Sequence, residues 1–346
     1  MNVLLIRTDH LGDLLLSTPI IRNVKESLPA SSLTLVASPH NAGALAGWSV
    51  LDRILIYDSC WPLAEKWAFV KRLRQERWDL CLVLSPRSGA YVLGSLSRAP
   101  VRAGIVYSRR LLPRLFSPWL LTHPLIMRID ETLAAGGQVP HEVDQLLDLA
   151  RRLGLKAEPY PLEFPLTDAN VKWGEDFLRC HGIDPAARPV IAVHGSPKWL
   201  SQGWSARDFV DMAKAAAAVV PDAALVFTFG PGDAALAEAI AASVPLGEGA
   251  EEAENSFFAA ARNMAVGQWA GLYSLCRVII SPDTGSLHLA AALHRPVVAV
   301  YEDRTFLHNS RQWAPWKTPH AIIRKTGPEA TRAAIVAAVA RLAILS

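Results

Sequence analysis

Short β-branched or leucine-rich runs alternate with helical stretches along the whole chain, and this alternation limits the fold more than any other feature. It is the pattern of a parallel sheet covered by helices. In the first half it predicts strands at 3–6, 33–37, 54–57, 80–84 and 102–105. Helices are predicted there at 15–27, 63–76, 90–97 and 141–153. Residues 155–170, LKAEPYPLEFPLTDAN, hold three prolines and no period, which marks a linker. The pattern then restarts, with strands at 190–194, 224–229, 278–281 and 297–301. Helices follow at 206–220, 233–242, 286–293 and, in an alanine-rich tail, 328–345. The expectation is therefore two α/β domains, residues 1–160 and 161–346, facing a cleft. Ligands of open α/β sheets sit at the carboxyl ends of the strands and favour domain interfaces.

A length of 346 residues suits two domains, each large enough to bury a core without disulfide or metal staples. The four cysteines, Cys60, Cys81, Cys180 and Cys276, form no C-x-x-C pair, so buried free thiols in a reducing cytoplasm are expected. The opening apolar run stops at Arg7, which argues against a signal peptide, and no window has the length of a membrane span. A soluble or at most peripheral protein is expected. Residues 1–160 carry 19 Lys and Arg against 14 Asp and Glu, a surplus of five within a net charge of +3. That is too weak a signal for nucleic acid and suits a phosphorylated or otherwise anionic partner.

Two strand–turn–helix segments hold the chemistry. In Arg7-Thr8-Asp9-His10-Leu11-Gly12-Asp13, Gly12 permits close backbone approach. Asp13 either caps the helix or serves as a general base. In Ser281-Pro282-Asp283-Thr284-Gly285-Ser286-Leu287-His288, the helix start offers N–H groups and a hydroxyl to an anion, with His288 one turn further in. A plainly capped helix with a satisfied histidine is the competing reading. The loop His194-Gly195-Ser196-Pro197-Lys198 puts a cation after a strand, and Phe229-Gly230-Pro231-Gly232-Asp233 turns from strand into helix. No G-x-G-x-x-G or P-loop spacing is present, which disfavours nicotinamide enzymes and P-loop nucleotidases. No H-E-x-x-H or D-x-D element points to a metal. Residues 107–119 mix Arg109, Arg110 and Arg114 with large apolar side chains. Two readings stand open for them: a grip on an anionic membrane or a lipid-linked phosphate, and an ordinary loop. Trp61, Trp67 and Trp78 read as core and rim packing.

The opening VLLIRTDHLGDLLLSTPIIRNVKESLP and the later SPDTGSLHLAAALHRPVVAVYED resemble glycosyltransferase family 9, the ADP-heptose:lipopolysaccharide heptosyltransferases. Weaker matches such as HEVDQLLDLARRLGL, HGSPKWLSQGWSARDFVDMAK and FGPGDAALAEAIA fall between them in the family's order. The resemblance implies a GT-B fold, two Rossmann-like domains facing a central cleft, with the final helix returning to the first domain. It implies inverting transfer without cofactor or metal, from a nucleotide-diphospho-sugar, ADP-heptose by default, to a lipid-linked lipopolysaccharide-core glycan. A cytoplasmic enzyme in peripheral contact with the inner membrane is the corresponding location. Asp13 takes the place of the family's base. Asp283, Thr284, Gly285, Ser286, His288, Ser196, Lys198, Gln202 and Gly232 are the donor-side candidates. Asp9, His10, Gly12, Arg87, Arg109 and Arg110 are the acceptor-side ones. Gln202 stands where the family's K-x-W motif has its phosphate-binding lysine, and Lys198 is the candidate replacement. The same substitution motivates an alternative, a degenerate member that binds donor or glycan without transfer. His294-Arg295 replaces a small glycine turn.

Overall fold

The computed structural model describes residues 1–230, 233–243, 258–262 and 264–345. These fall into two compact units, Met1–Pro165 and Leu166–Ser346.

In the first unit the strands are β1 (Asn2–Arg7), β2 (Ser32–Ala37), β3 (Arg53–Ile56), β4 (Leu80–Val83), β5 (Val101–Tyr107) and β6 (His123–Met127). They form one sheet ordered β3-β2-β1-β4-β5-β6 with every neighbouring pair parallel. The helices are α1 (Leu11–Leu16), α2 (Thr18–Ser27), α3 (Leu63–Leu73), α4 (Ser88–Leu96), α5 (Leu111–Leu120), α6 (Ile129–Ala134) and α7 (Glu142–Arg152). The central strands are continuous apolar runs because a parallel sheet is covered on both faces. Leu4, Ile6, Cys81 and Val83 accordingly lie in one core with Phe69, Leu73, Trp78 and Tyr91.

Three expectations change here. The helix predicted at 15–27 is two helices, because Pro19 in the first turn of α2 has no N–H with which to continue α1. The segment 107–119 is not a loop: it contains α5, and the edge strand β6 follows. Its prolines had hidden both elements, although Pro124 is tolerated on an edge strand. The 155–170 stretch is bound to the first unit as far as Glu163. Asn23 Nδ2 donates to Glu158 O (2.8 Å), Tyr160 O–H donates to Glu26 Oε2 (2.7 Å), and Arg22 pairs with Glu163.

The second unit contains α8 (Asp168–Cys180), β7 (Val190–Gly195), α9 (Ala206–Ala218), β8 (Ala224–Phe229), α10 (Ala234–Ser243), β9 (Phe258–Ala261) and α11 (Val266–Ser274). It continues with β10 (Val278–Pro282), α12 (Gly285–Ala292), β11 (Val297–Glu302), α13 (Phe306–Gln312), β12 (His320–Lys325) and α14 (Pro328–Leu342). Its parallel sheet runs β12-β11-β10-β7-β8-β9, the same winding as the first. Helix α14 contributes Ile335, Val339 and Leu342 to a core with Trp199, Phe209, Phe227 and Ile280. The terminal helix thus packs on the second unit's core. Helices α8 and α11 meet through glycines. A Cβ on Gly271 would sit 1.8 Å from Asn170 O, so only glycine allows that approach. Cys81 and Cys276 are buried, and burial pushes both thiols up to about 12. Cys60 and Cys180 are exposed, contrary to expectation, the first in the turn after Asp58 and the second at the end of α8.

In each sheet the winding reverses beside the first strand, between β1 and β4 and again between β7 and β10. The carboxyl ends of such strand pairs are where open α/β sheets bind ligands.

Candidate functional site

At the reversal point of the first sheet, Arg7 ends β1 and is almost wholly buried. Its Nε lies 3.1 Å from Asp9 Oδ1, and its Nη2 lies 3.4 Å from Asp13 Oδ1 and 3.2 Å from Glu142 Oε1. It also donates to the main-chain oxygens of Leu84 and Asp13. A buried guanidinium needs compensating charge. Burial opposes its charged form, but three carboxylates outweigh that and raise its pKa. Tyr107 O–H donates to Glu142 Oε2 (3.0 Å), fixing the far side of the cluster.

Loop 8–10 is held from both flanks. Thr8 N–H donates to Ser85 Oγ (2.9 Å), and Asn41 Nδ2 donates to Arg7 O and Asp9 O (3.2 Å each). His10 caps α1, and its N–H donates to Asp13 Oδ2 at 3.3 Å. Of the two readings the sequence left open, the structure shows the cap, and it leaves the second oxygen uncommitted to the helix. One oxygen receives the cap hydrogen bond, while the other faces Arg7. Its side chain remains 25% exposed, whereas that of Asp9 is 4% exposed. Burial raises the Asp13 pKa above the ordinary carboxylate range; Arg7 and His10 pull it down, and Asp9 adds to the rise. Three carboxylates around one cation leave negative charge to spare, so a proton bound at Asp13 is tolerated better than in water. That is how a carboxylate becomes a stronger base.

Among the other acceptor-side candidates, Gly12 is buried in α1 and His10 is exposed, with its Nε2 3.1 Å from Arg87 Nη2. Arg110 donates to Pro86 O and so joins the same edge. Arg109 turns instead toward Asp130, 3.8 Å away.

At the second reversal point, Asp283 follows β10 and Thr284 caps α12 without a side-chain hydrogen bond. Asp283, Thr284 and Gly285 are half-buried, so the very start of the helix is partly open to solvent, while Ser286, Leu287 and His288 behind it are buried. The first N–H groups of a helix lack intrahelical partners and carry its positive end. Lys198, from the loop after β7, brings its ammonium to this turn. Nζ donates to Asp283 O and lies 3.4 Å from Oδ2, and Asn309 Nδ2 donates to the same Oδ2 at 2.8 Å. Ser196 caps the short turn Pro197–Leu200.

Ser286 differs from expectation. Its hydroxyl is fully buried and 2.7 Å from Tyr273 OH, which lies 3.1 Å from Thr228 Oγ1, itself 3.2 Å from His194 Nδ1. His288 is buried as well. Burial pushes His194 down to about 4, so the chain of hydroxyls ends on a neutral imidazole. Gln202 stands at φ +60°, and its amide spans Lys325 O (3.0 Å) and Asp303 N (3.2 Å), which occupies it in bracing the loop. Gly232 lies outside the described residues.

Lys325 gave no sequence signal, because its partners lie more than a hundred positions away. It ends β12 and is 2% exposed. Its Nζ donates to Lys198 O (2.6 Å), Trp199 O (2.8 Å) and Ser201 O (2.9 Å), and lies 5.5 Å from the Trp204 ring centre. Burial lowers it to about 8, with Glu302 opposing. Trp199, fully buried, roots the loop by donating to His194 O at 2.8 Å. The Lys198 stem is thus built on a fixed base, with its ammonium held at Asp283.

The model of glycosyltransferase family 9, the heptosyltransferases, matches residues 66–335. The lipopolysaccharide heptosyltransferase 2 of Salmonella typhimurium is 23% identical over 322 residues, covering 87% of this chain and 82% of that protein. Among solved structures, a family 9 glycosyltransferase from Veillonella parvula superposes with a TM-score of 0.79 at 18% identity, over 100% of this chain and 97% of its own. The ADP-heptose lipopolysaccharide heptosyltransferase II of E. coli gives 0.76 at 18% identity, over 100% and 99%. The E. coli heptosyltransferase WaaC with ADP gives 0.71 at 16% identity, over 99% and 100%. The fold shared with these neighbours is GT-B.

Proposed function

Because the chain belongs to glycosyltransferase family 9, the heptosyltransferases, we propose that it moves a heptose from ADP-heptose to a lipid-linked lipopolysaccharide-core glycan, inverting the anomeric carbon. The acceptor hydroxyl attacks that carbon from the face opposite the diphosphate. The new carbon–oxygen bond forms as the bond to the β-phosphate oxygen breaks. The hydroxyl proton passes to Asp13, and ADP carries away the electron pair.

The observation that carries this reading is the Asp13 carboxylate, partly open to solvent and held between Arg7 and the His10 N–H with its pKa raised by burial. A base for a sugar hydroxyl has to be ionised yet basic, and such a setting supplies both. The departing diphosphate needs stabilisation as its charge develops. In this proposal the partly exposed start of α12, at Thr284 and Gly285, and the Lys198 ammonium provide it. Lys198 thereby takes the work of the family lysine whose place Gln202 holds, and Asp283 orients it.

The test is ADP release from purified protein. Release should require ADP-heptose and a lipopolysaccharide-core acceptor together, with a heptosylated product detected by mass. Donor binding without turnover across an acceptor panel would establish the non-transferring alternative instead.

A further inference from the structure

We infer that α5 is a membrane-docking element which sets the first unit on the surface of a bilayer rich in anionic phospholipid. Among its described side chains the helix buries one side. Ser117 is fully buried and Leu120 packs against the first unit's core. On the other side Leu111 is 75% exposed, Leu115 60%, Phe116 48% and Trp119 69%. The Phe116 and Trp119 rings lie 5.8 Å apart, so the two aromatic side chains adjoin. Isolated exposed apolar residues need no explanation, but a leucine-and-aromatic patch on one short helix does.

Charge identifies the occupant. From residue 80 to residue 129 the chain has seven arginines and not one Asp or Glu. Arg87, Arg98, Arg109 and Arg114 of that set are exposed. Acidic residues resume only at Asp130 and Glu131, which face Arg109 and Arg128. A face with leucine, phenylalanine and tryptophan at its centre and arginine around it matches the acyl–headgroup boundary of an anionic bilayer.

The position also fits. Helix α5 starts at the carboxyl edge of β5, and its cap Arg110 donates to Pro86 O next to Arg87, whose guanidinium lies 3.1 Å from His10. The docking face is therefore tied by direct contacts to His10, the residue that caps the helix carrying Asp13.

The full chain is mixed with vesicles of phosphatidylglycerol and phosphatidylethanolamine, or of phosphatidylcholine alone, and cosedimented without donor or acceptor, so that the outcome does not depend on transfer. Wild type should sediment with the anionic vesicles only. Leu115→Asp/Trp119→Ser should abolish this, and Arg109→Gln/Arg114→Gln should weaken it by about tenfold or more. Trp119→Phe should bind like wild type, and Leu111→Ser serves if the double variant fails to fold. Wild type left in the supernatant, or apolar variants that bind as well as wild type, would overturn the inference. A dimer dispersed by Leu115→Asp/Trp119→Ser, in a protein that ignores vesicles, would overturn it equally and assign the face to a second copy.

Discussion

Replacing Lys198 by methionine separates a donor-binding cation from a structural one. The Lys198 side chain is 41% exposed, and its Nζ is 3.4 Å from Asp283 Oδ2. An ion pair so open to water contributes at most about 1 kcal/mol to folding. The carboxylate also keeps its bond from Asn309 at 2.8 Å, so it is not orphaned by the change. The melting temperature of Lys198→Met should consequently fall by no more than about 4 °C. Donor affinity is another matter. A charged hydrogen bond to a diphosphate oxygen is worth about 1.5–3 kcal/mol, or roughly 10- to 150-fold in Kd. Calorimetric titration of ADP into both proteins, alongside thermal unfolding, reads the two quantities separately. Lys198→Arg keeps the charge and should recover part of the affinity. An ADP affinity within twofold of wild type in Lys198→Met would refute the assignment, and so would an affinity loss that merely follows a large drop in stability.

Acidification should destabilise the protein through His194. Its folded pKa of about 4 lies below the ordinary 6.5, so the unfolded chain binds the proton first. Stability present above pH 6.5 is lost as pH falls toward 4, by up to about 3 kcal/mol. Urea unfolding at pH 7 and pH 5 should show this slope in wild type and lose it in His194→Gln; equal slopes would remove the histidine from the account. Gly271→Ala places a methyl 1.8 Å from Asn170 O, and the forced separation of α8 and α11 should cost about 2 kcal/mol or more in chemical unfolding. The acidic limb of kcat/KM should report a group above the ordinary carboxylate range, because Asp13 has to lose its proton before it can act, and its pKa is raised. A limb at ordinary carboxylate values would count against that.

Much of the fold could be read from the chain because both sheets are parallel and covered on both faces, so β1, β4, β7 and β10 appear as short unbroken apolar runs between helical periods. The elements missed are the strands β6, β9 and β12 and the helices α5, α6, α8, α11 and α13. Strands β6 and β12 are edges with mixed burial, α5 contains two prolines, and α8 starts from its Thr167 cap right after the proline-rich stretch. The turns around Asp13 and Asp283 were visible as polar, glycine-bearing joints between a strand and a helix. What supports them was not. Glu142 reaches Arg7 across 135 positions, and Lys325 braces a loop more than a hundred residues earlier. Such partners are set by the winding of the sheet and leave no local pattern. Ser286 shows the opposite failure, since a hydroxyl at a helix start looks like a ligand group until the packing turns it inward.

The central claim is that Asp13 accepts the acceptor's proton while other residues hold the donor. Asp13→Asn is nearly isosteric and keeps an oxygen for the His10 N–H, so the loop should survive. Single-turnover release of ADP from ADP-heptose in the presence of acceptor, measured beside the donor Kd, separates chemistry from binding. The expected result is a rate lower by about 10²- to 10⁴-fold with the donor Kd within twofold of wild type. Release at the wild-type rate from Asp13→Asn would contradict the claim.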